Sequence, residues 1–563
     1  MSAKDEPTAD KPPLSRVFTF RLSVPGLVVG VFFFGLSLLP SLLPRSGLFQ
    51  GVVSGITIAI GYGVGVLAAW AWNYLEIPQL EPGSTLQKIV VGAAALFVGF
   101  VVVATTWRHV GWQNDVREIF GMEKVDRSVW LPIIPTALVV ASLLLIVART
   151  MRKLFQIIVR WLAGAIPRRV ARVLGTIAFI VLLAGFANGV LINGFFAAAN
   201  SAFSVVDTST NEGDVPPVVP ERSGSPDSLV SWESLGRQGR AFVASGPTVD
   251  DLTAFHGDGA VEPIRIYAGL KSAETLQERA DLVLDDLIRA GAFNRDVLVV
   301  VTATGTGYMV PEAMDTLEYI YKGNTAIAGV QYSYLPSWIS LLADQQTTAE
   351  SSLAVFDTIH SYWASLPVET RPEIYLFGLS LGSFGVESIL TSVNIINVPI
   401  DGALMVGPPF VNGMWNEITE SRDDGSPAWL PIFQEGRTVR FTALENTLDI
   451  PSAEWGDTKL VYLQHASDPV TFFSPDLALS EPDWLKEGQR GPDVSPDMTW
   501  VPVVTMWQVM FDLLAAGSVP PGHGHLFQHG EYIDGWVGVT EPDDWTSTDS
   551  GQLLRMVSEE TGV

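Results

Sequence analysis

The sequence predicts an α-helical transmembrane bundle followed by an α/β domain, whose mostly parallel sheet is covered by helices on both faces. Three observations carry this: an apolar excess confined to the N-terminal third, a charge asymmetry between the two parts, and an alternation of short apolar strands with helical stretches after about residue 229. A mean hydropathy of +0.29 is high for a wholly soluble chain. The first 200 residues hold 17 Lys+Arg against 9 Asp+Glu, which leaves 17 against 51 in the remainder. A basic membrane part joined to a strongly acidic soluble part follows, and the acidic surface argues against a nucleic-acid partner. The chain has no cysteine, which excludes disulfides, thiolate zinc sites and cysteine nucleophiles.

Five apolar stretches, at about 24–43, 47–72, 88–107, 131–148 and 172–197, approach the roughly 20 residues a bilayer-spanning helix needs. No small-residue cleavage site follows the first, which reads as a retained anchor rather than a signal peptide. Trp70, Trp72, Trp107, Trp112 and Trp130 fall near span ends, as interfacial aromatics do, and Gly51/Gly55 and Gly61/Gly65 have the spacing of close helix contacts. Arg149, Arg152, Lys153, Arg160, Arg168, Arg169 and Arg172 lie between the fourth and fifth stretches with no acidic residue among them. The positive-inside rule puts that loop in the cytoplasm and everything after about residue 200 outside it. Within it Leu154, Phe155, Ile157, Ile158, Trp161 and Leu162 recur at roughly helical spacing, as in a helix lying on the inner leaflet or a solvated connector. The expected protein is therefore an integral, multi-pass plasma-membrane protein: a transmembrane domain at 1–199, a Ser/Thr/Pro/Asp/Gly-rich linker at 200–228 and an extracytoplasmic domain at 229–563.

Candidate strands of the last domain are Ile264–Tyr267, Val297–Thr302, Ala326–Tyr332, Ile374–Phe377, Ala403–Val406 and Leu460–Gln464, with helical patterns such as 273–290 and 350–365 between them. The fourth strand feeds into Gly378-Leu379-Ser380-Leu381-Gly382, a GxSxG pentapeptide. A serine lifted onto a sharp strand-to-helix turn needs small residues two positions either side, and Gly378 and Gly382 supply them. The pentapeptide alone is a weak signal; its strand and its partners give it weight. This order, with the elbow in the middle, is that of the alpha/beta-hydrolase fold, which requires nucleophile, acid and histidine in that sequence.

After the last strand comes His465-Ala466-Ser467-Asp468-Pro469, where Asp468 occupies the place of the acid, with Asp449 as the fallback. Further on, Pro520-Pro521-Gly522-His523-Gly524-His525 is a glycine-rich loop in the place of the general base; His525 is the preferred base and His523 the alternative. The two histidines could instead ligate zinc, but no carboxylate or third histidine completes a set, so no metal or other cofactor is expected. His465 could line the site, whereas His109, His256, His360 and His529 read as structural. For an oxyanion hole the amide of Leu381 supplies one donor, and Thr304-Gly305-Thr306-Gly307 supplies the second, from Thr306 or Gly305. Tyr332, Tyr334, Leu335, Pro336 and Trp338, with Phe472 and Phe473, could line an acyl pocket or belong to the core.

Taken together with the five apolar stretches, IRIYAGL at 264–270, TGTGY at 304–308, QYSYLPSW at 331–338, GLSLGSFG at 378–385, GPPF at 407–410 and PPGHGH at 520–525 resemble the actinobacterial membrane-anchored alpha/beta-hydrolases, sometimes called alpha/beta-hydrolase family 9. The resemblance covers nearly the whole chain and implies a serine-hydrolase fold with Ser380 as nucleophile, but names no substrate. It also implies an acidic residue before the serine, where this chain has Leu379, a difference that bears on pocket polarity. The expected activity is hydrolysis of an ester or thioester in a lipid or cell-envelope acyl substrate, beside the bilayer. An acyltransferase of the same fold shares every motif. An inactive scaffold or transporter is less well served, because the five stretches carry no internal acidic residue or histidine.

Overall fold

The structure is a computed structural model, and it describes residues 22–78, 83–164, 167–186, 193–392 and 399–561. The chain divides into two compact units. One takes in the residues up to 39 together with 45–114 and 124–157; the other takes in 40–44, 115–123 and everything from 158 onward.

The first unit is helical: α1 (Val24–Ser37), α2 (Gly47–Tyr74), α3 (Thr85–Ile119, to residue 114) and α4 (Trp130–Leu162, to residue 157). Among the described residues three helices are long and apolar enough to cross a membrane, namely α2, α3 and the segment Arg127–Leu162 that contains α4. The first apolar stretch makes only the 14-residue α1, which stops at Ser37. The fifth begins as α5 (Arg168–Phe186) and continues into residues 187–192, which lie outside the described residues, before α6 (Asn193–Asp207). The stretch 154–162 is continuous with α4.

Small residues on α2 explain the close packing. A Cβ on Gly61 would lie 2.7 Å from Phe33 of α1, and one on Gly65 2.5 Å from the Pro25 carbonyl. Gly51 and Gly55 face the opposite neighbour, where a Cβ would come 2.9 Å from the Ile133 carbonyl and 2.8 Å from the Ala137 carbonyl of α4. One helix thus presents two glycine pairs to two partners, which lets dispersion act at short range. Polar side chains are paired beside these contacts: Ser37 Oγ and Ser54 Oγ are 2.8 Å apart, Gln50 Nε2 donates to the Ser37 carbonyl at 2.9 Å, and His109 Nδ1 lies 3.0 Å from the Leu38 carbonyl.

The second unit is built on seven parallel strands: β1 (Ile264–Ala268), β2 (Val297–Thr302), β3 (Thr325–Val330), β4 (Glu373–Leu379), β5 (Gly402–Val406), β6 (Val439–Thr442) and β7 (Lys459–Leu463). Their spatial order is β1-β3-β2-β4-β5-β7-β6. Strands such as β2 read as unbroken apolar runs because helices cover both faces. The helices start and stop by ordinary capping. The helix Leu276–Ala290, for example, opens on a Thr275–Glu278 capping box and ends at Gly291 with φ 77°. Six of the strands match the sequence expectation. The seventh, β6, was not expected: it is four residues long, lies at the sheet edge and carries Arg440, so it gives almost no periodic signal. Residues 221–223 at the end of the expected linker run beside β1, with Ser223 N donating to the Arg265 carbonyl at 2.9 Å and Arg265 N to that of Glu221 at 3.1 Å.

Because every strand is parallel, their carboxyl ends share one edge, and the loops after β2, β4, β5 and β7 emerge there as neighbours. Replacing Gly55 by Val in the full-length protein should push α4 away from α2 and lower the thermal unfolding midpoint in detergent, at a cost of about 1–3 kcal/mol. Gly63, whose added Cβ would meet nothing within 4 Å, should accept Ala with little change.

Candidate active site

Ser380 follows β4 and caps the helix Leu381–Leu390 with φ 55° and ψ −123°, a conformation costly for any residue but glycine. Its surroundings enforce the turn. A Cβ on Gly378 would lie 2.3 Å from the Gly382 carbonyl, and one on Gly382 2.5 Å from that of Thr302. Gly385, one turn on, leaves 2.2 Å to Ser352 Oγ for the same atom. The Ser380 amide donates to the Val406 carbonyl at 2.8 Å, and the Ser380 carbonyl accepts from Ser383 N at 2.8 Å. The serine side chain therefore stands off the carboxyl edge of the sheet while the residue is only 7% exposed.

Asp468 follows β7 and is fully buried. Its Oδ1 accepts from the Val470 amide at 2.8 Å, and its Oδ2 accepts from Thr471 Oγ1 at 3.2 Å and from His525 Nδ1 at 2.6 Å. A carboxylate that close assigns the ring proton to Nδ1, which leaves Nε2 as the acceptor. His525 Nε2 is buried and has no hydrogen-bond partner among the described residues. The imidazole is kept beside the elbow by Gly407, which follows Val406 with φ 53°: a Cβ there would lie 2.6 Å from His525 Cε1.

The loop after β2 is tied to the elbow through Thr304, whose Oγ1 donates to the Leu379 carbonyl at 2.7 Å. Its amides are not equivalent. Thr304 N donates to the Tyr308 carbonyl at 3.0 Å and Gly305 N to the Tyr332 hydroxyl at 2.9 Å, whereas Thr306 N and Leu381 N have no partner among the described residues. Tyr332 is thus held by that bond, and burial pushes its phenol up to about 12. Tyr334 is half-buried, Trp338 is exposed, and Phe472 packs in the core against Trp415 and Trp484. An apolar cluster around Leu381 comprises Leu341, Val470, Ala516, Phe384 and Phe410, together with Tyr332. Asp449, the fallback acid, is exposed on another loop.

His523 and His465 take other places. His523 Nδ1 lies 4.0 Å from Asp493. His465 is buried behind the loop, with Nδ1 donating to the Gly524 carbonyl at 2.9 Å, Nε2 paired with Glu531 and its ring stacked on Phe527. Burial alone would lower its pKa, but the Glu531 carboxylate and Asp493 outweigh it and raise the imidazole to about 9. Gly524 N in turn donates to Ser467 Oγ at 2.9 Å, and Ser467 donates to Asp493. Both backbone groups of the residue before His525 are therefore held. Sequence reasoning missed Asp493, Glu531 and Gly407; an isolated acid carries no spacing signal, although Gly407 opens the GPPF string.

The family models match this chain twice. The model described as alpha/beta-hydrolase family matches residues 264–553, and the one described as alpha/beta-hydrolase family N-terminus matches residues 38–247. The chain belongs to the alpha/beta-hydrolase family. The resemblance drawn from its motifs holds, and so does the fold expected from its strands. No match was found among curated proteins or solved structures. The N-terminal model continues past residue 200 through the helix Gly236–Ala244 of this alpha/beta-hydrolase, which belongs to the second unit. Among the described residues no group of three metal-ligating side chains is present.

The raised pKa of His465 has a pH consequence. Its protonated form stabilises the folded state fully below about 6.5, the ordinary value, and that contribution is lost as pH rises through about 9. Thermal unfolding should therefore show a lower midpoint at pH 10 than at pH 7.5. In Glu531→Gln the midpoint should already be lower at pH 7.5 and change less between the two.

Proposed function

We propose that this alpha/beta-hydrolase is a membrane-anchored serine hydrolase that cleaves ester or thioester bonds of lipid or cell-envelope acyl substrates. One observation carries the reading: a buried Asp468–His525 hydrogen bond leaves His525 Nε2 unpartnered beside a strained, elbow-borne serine. The Ser380 hydroxyl attacks the substrate carbonyl as its proton passes to His525 Nε2. The new oxyanion is met by the amides of Leu381 and Thr306, both without a partner among the described residues. Asp468 stabilises the imidazolium, which then gives its proton to the leaving alcohol or thiol. Water, deprotonated by the same nitrogen, releases the acid and restores the serine. The apolar cluster around Leu381 and Phe410 suits an acyl chain rather than a charged group. Transfer to an envelope alcohol in place of water is the acyltransferase form of the same cycle.

The purified full-length protein should react with a fluorophosphonate probe, and Ser380→Ala should abolish labelling. Labelling that survives the substitution sinks the proposal. Asp468→Asn should keep the fold and lower kcat by about 10⁴, the loss expected when the imidazole is held in the wrong tautomer.

The same proposal places the catalytic unit outside the cytoplasm, on the strength of the basic segment from Arg149 to Arg172. The chain lacks cysteine, so a single exposed Glu481→Cys is a clean reporter. In intact cells it should react with a membrane-impermeant maleimide; protection until lysis refutes the orientation.

A further inference from the structure

The turn that carries His525 is short and closed. Gly522 N donates to the Leu526 carbonyl at 2.8 Å, and Leu526 N to that of His523 at 3.2 Å. Its flanks rest on two segments that lie far away in sequence, 40–44 and 115–123, both part of the second unit. Leu42, Leu43, Val116 and Phe120 are buried in the same hydrophobic core as the sheet. On one flank the Phe120 ring stacks on His523, with centroids 4.4 Å apart and planes 24° apart. On the other, Ser41 Oγ and Leu43 N both donate to Asp512 Oδ2, the latter at 3.4 Å. Asp512 opens the turn Leu513–Ala515, and the next residue, Ala516, offers its carbonyl to His525 N at 3.2 Å. Gly524 closes the set, since a Cβ there would lie 3.2 Å from that carbonyl and 3.3 Å from Leu43 Cδ2.

We propose that Phe120, Ser41 and Leu43 are positioning residues for His525, so that segments lying between the N-terminal helices set the geometry of the general base. The proposal rests on the reading of Ser380 and His525 as nucleophile and base. It also gives His523 a role: its ring is the handle by which Phe120 holds the turn. These residues touch no substrate and act by fixing where Nε2 stands relative to Ser380, a placement to which rate is steeply sensitive. A displacement of about 1 Å costs on the order of a hundredfold.

The test uses the full-length protein in detergent, assayed on a p-nitrophenyl acyl ester with active sites counted by fluorophosphonate labelling. Phe120→Leu keeps apolar volume but removes the stack, and Ser41→Ala removes one anchor on Asp512. Each should lower kcat per labelled site about tenfold or more, with KM within about twofold, and Phe120→Tyr should recover most of the loss. A wild-type kcat per labelled site in both Phe120→Leu and Ser41→Ala overturns the proposal, as does a loss that appears in KM alone. Counting labelled sites removes misfolded protein from the comparison. If the wild-type protein itself fails to label, the hydrolase reading has failed instead.

Discussion

Ser380 is held at φ 55°, and the arrangement of the carboxyl edge of the sheet follows from keeping it there. The strain is sustained because each neighbour leaves the backbone no other path: Gly378 and Gly382 face each other too closely for a methyl group, and Gly385 is pressed against Ser352. The amide of the serine is tied to Val406, the last residue of β5. One residue further, Gly407 leaves room for the His525 ring, which a Cβ there would meet at 2.6 Å. Strand pairing and the placement of the His525 ring are thus linked through two consecutive residues.

The histidine needs comparable support, because its loop is rich in glycine and would otherwise wander. Buried polar groups provide it. Asp468 spends two of its acceptor sites on its own turn, which fixes the carboxylate before the imidazole arrives. His465, Glu531, Ser467 and Asp493 together hold both backbone groups of Gly524. Buried charges of this kind are expensive to desolvate and contribute little net stability, whereas removing one partner of a set is strongly destabilising. Here they hold the loop that carries His525 in a single orientation.

Chemistry of a different kind holds the first unit. There α2 meets one partner through Gly61 and Gly65 and another through Gly51 and Gly55, and its Gln50 and Ser54 side chains are hydrogen-bonded to Ser37 at the end of α1. Among the described residues the three long apolar helices contain no carboxylate within their central stretches.

Much of this was legible in the residues. Six of the seven strands announced themselves because a buried parallel strand is a continuous apolar run, and the elbow because only small residues fit two positions either side of the serine. The order of Ser380, Asp468 and His525 was legible too, since the fold dictates it. Strand β6 was not, being short, at an edge and charged. Which histidine meets Asp468 was decided by the register of the 522–526 turn, in which residues two apart face different neighbours: His525 meets the acid, and His523 meets Phe120. His465 lay next to the acid in sequence yet is turned behind the loop to a carboxylate 66 residues away. Local pattern determines what a segment becomes, because it reflects periodicity and turn chemistry over a few residues. Only the tertiary structure determines what a side chain meets, because that contact is set by chain closure across hundreds of residues.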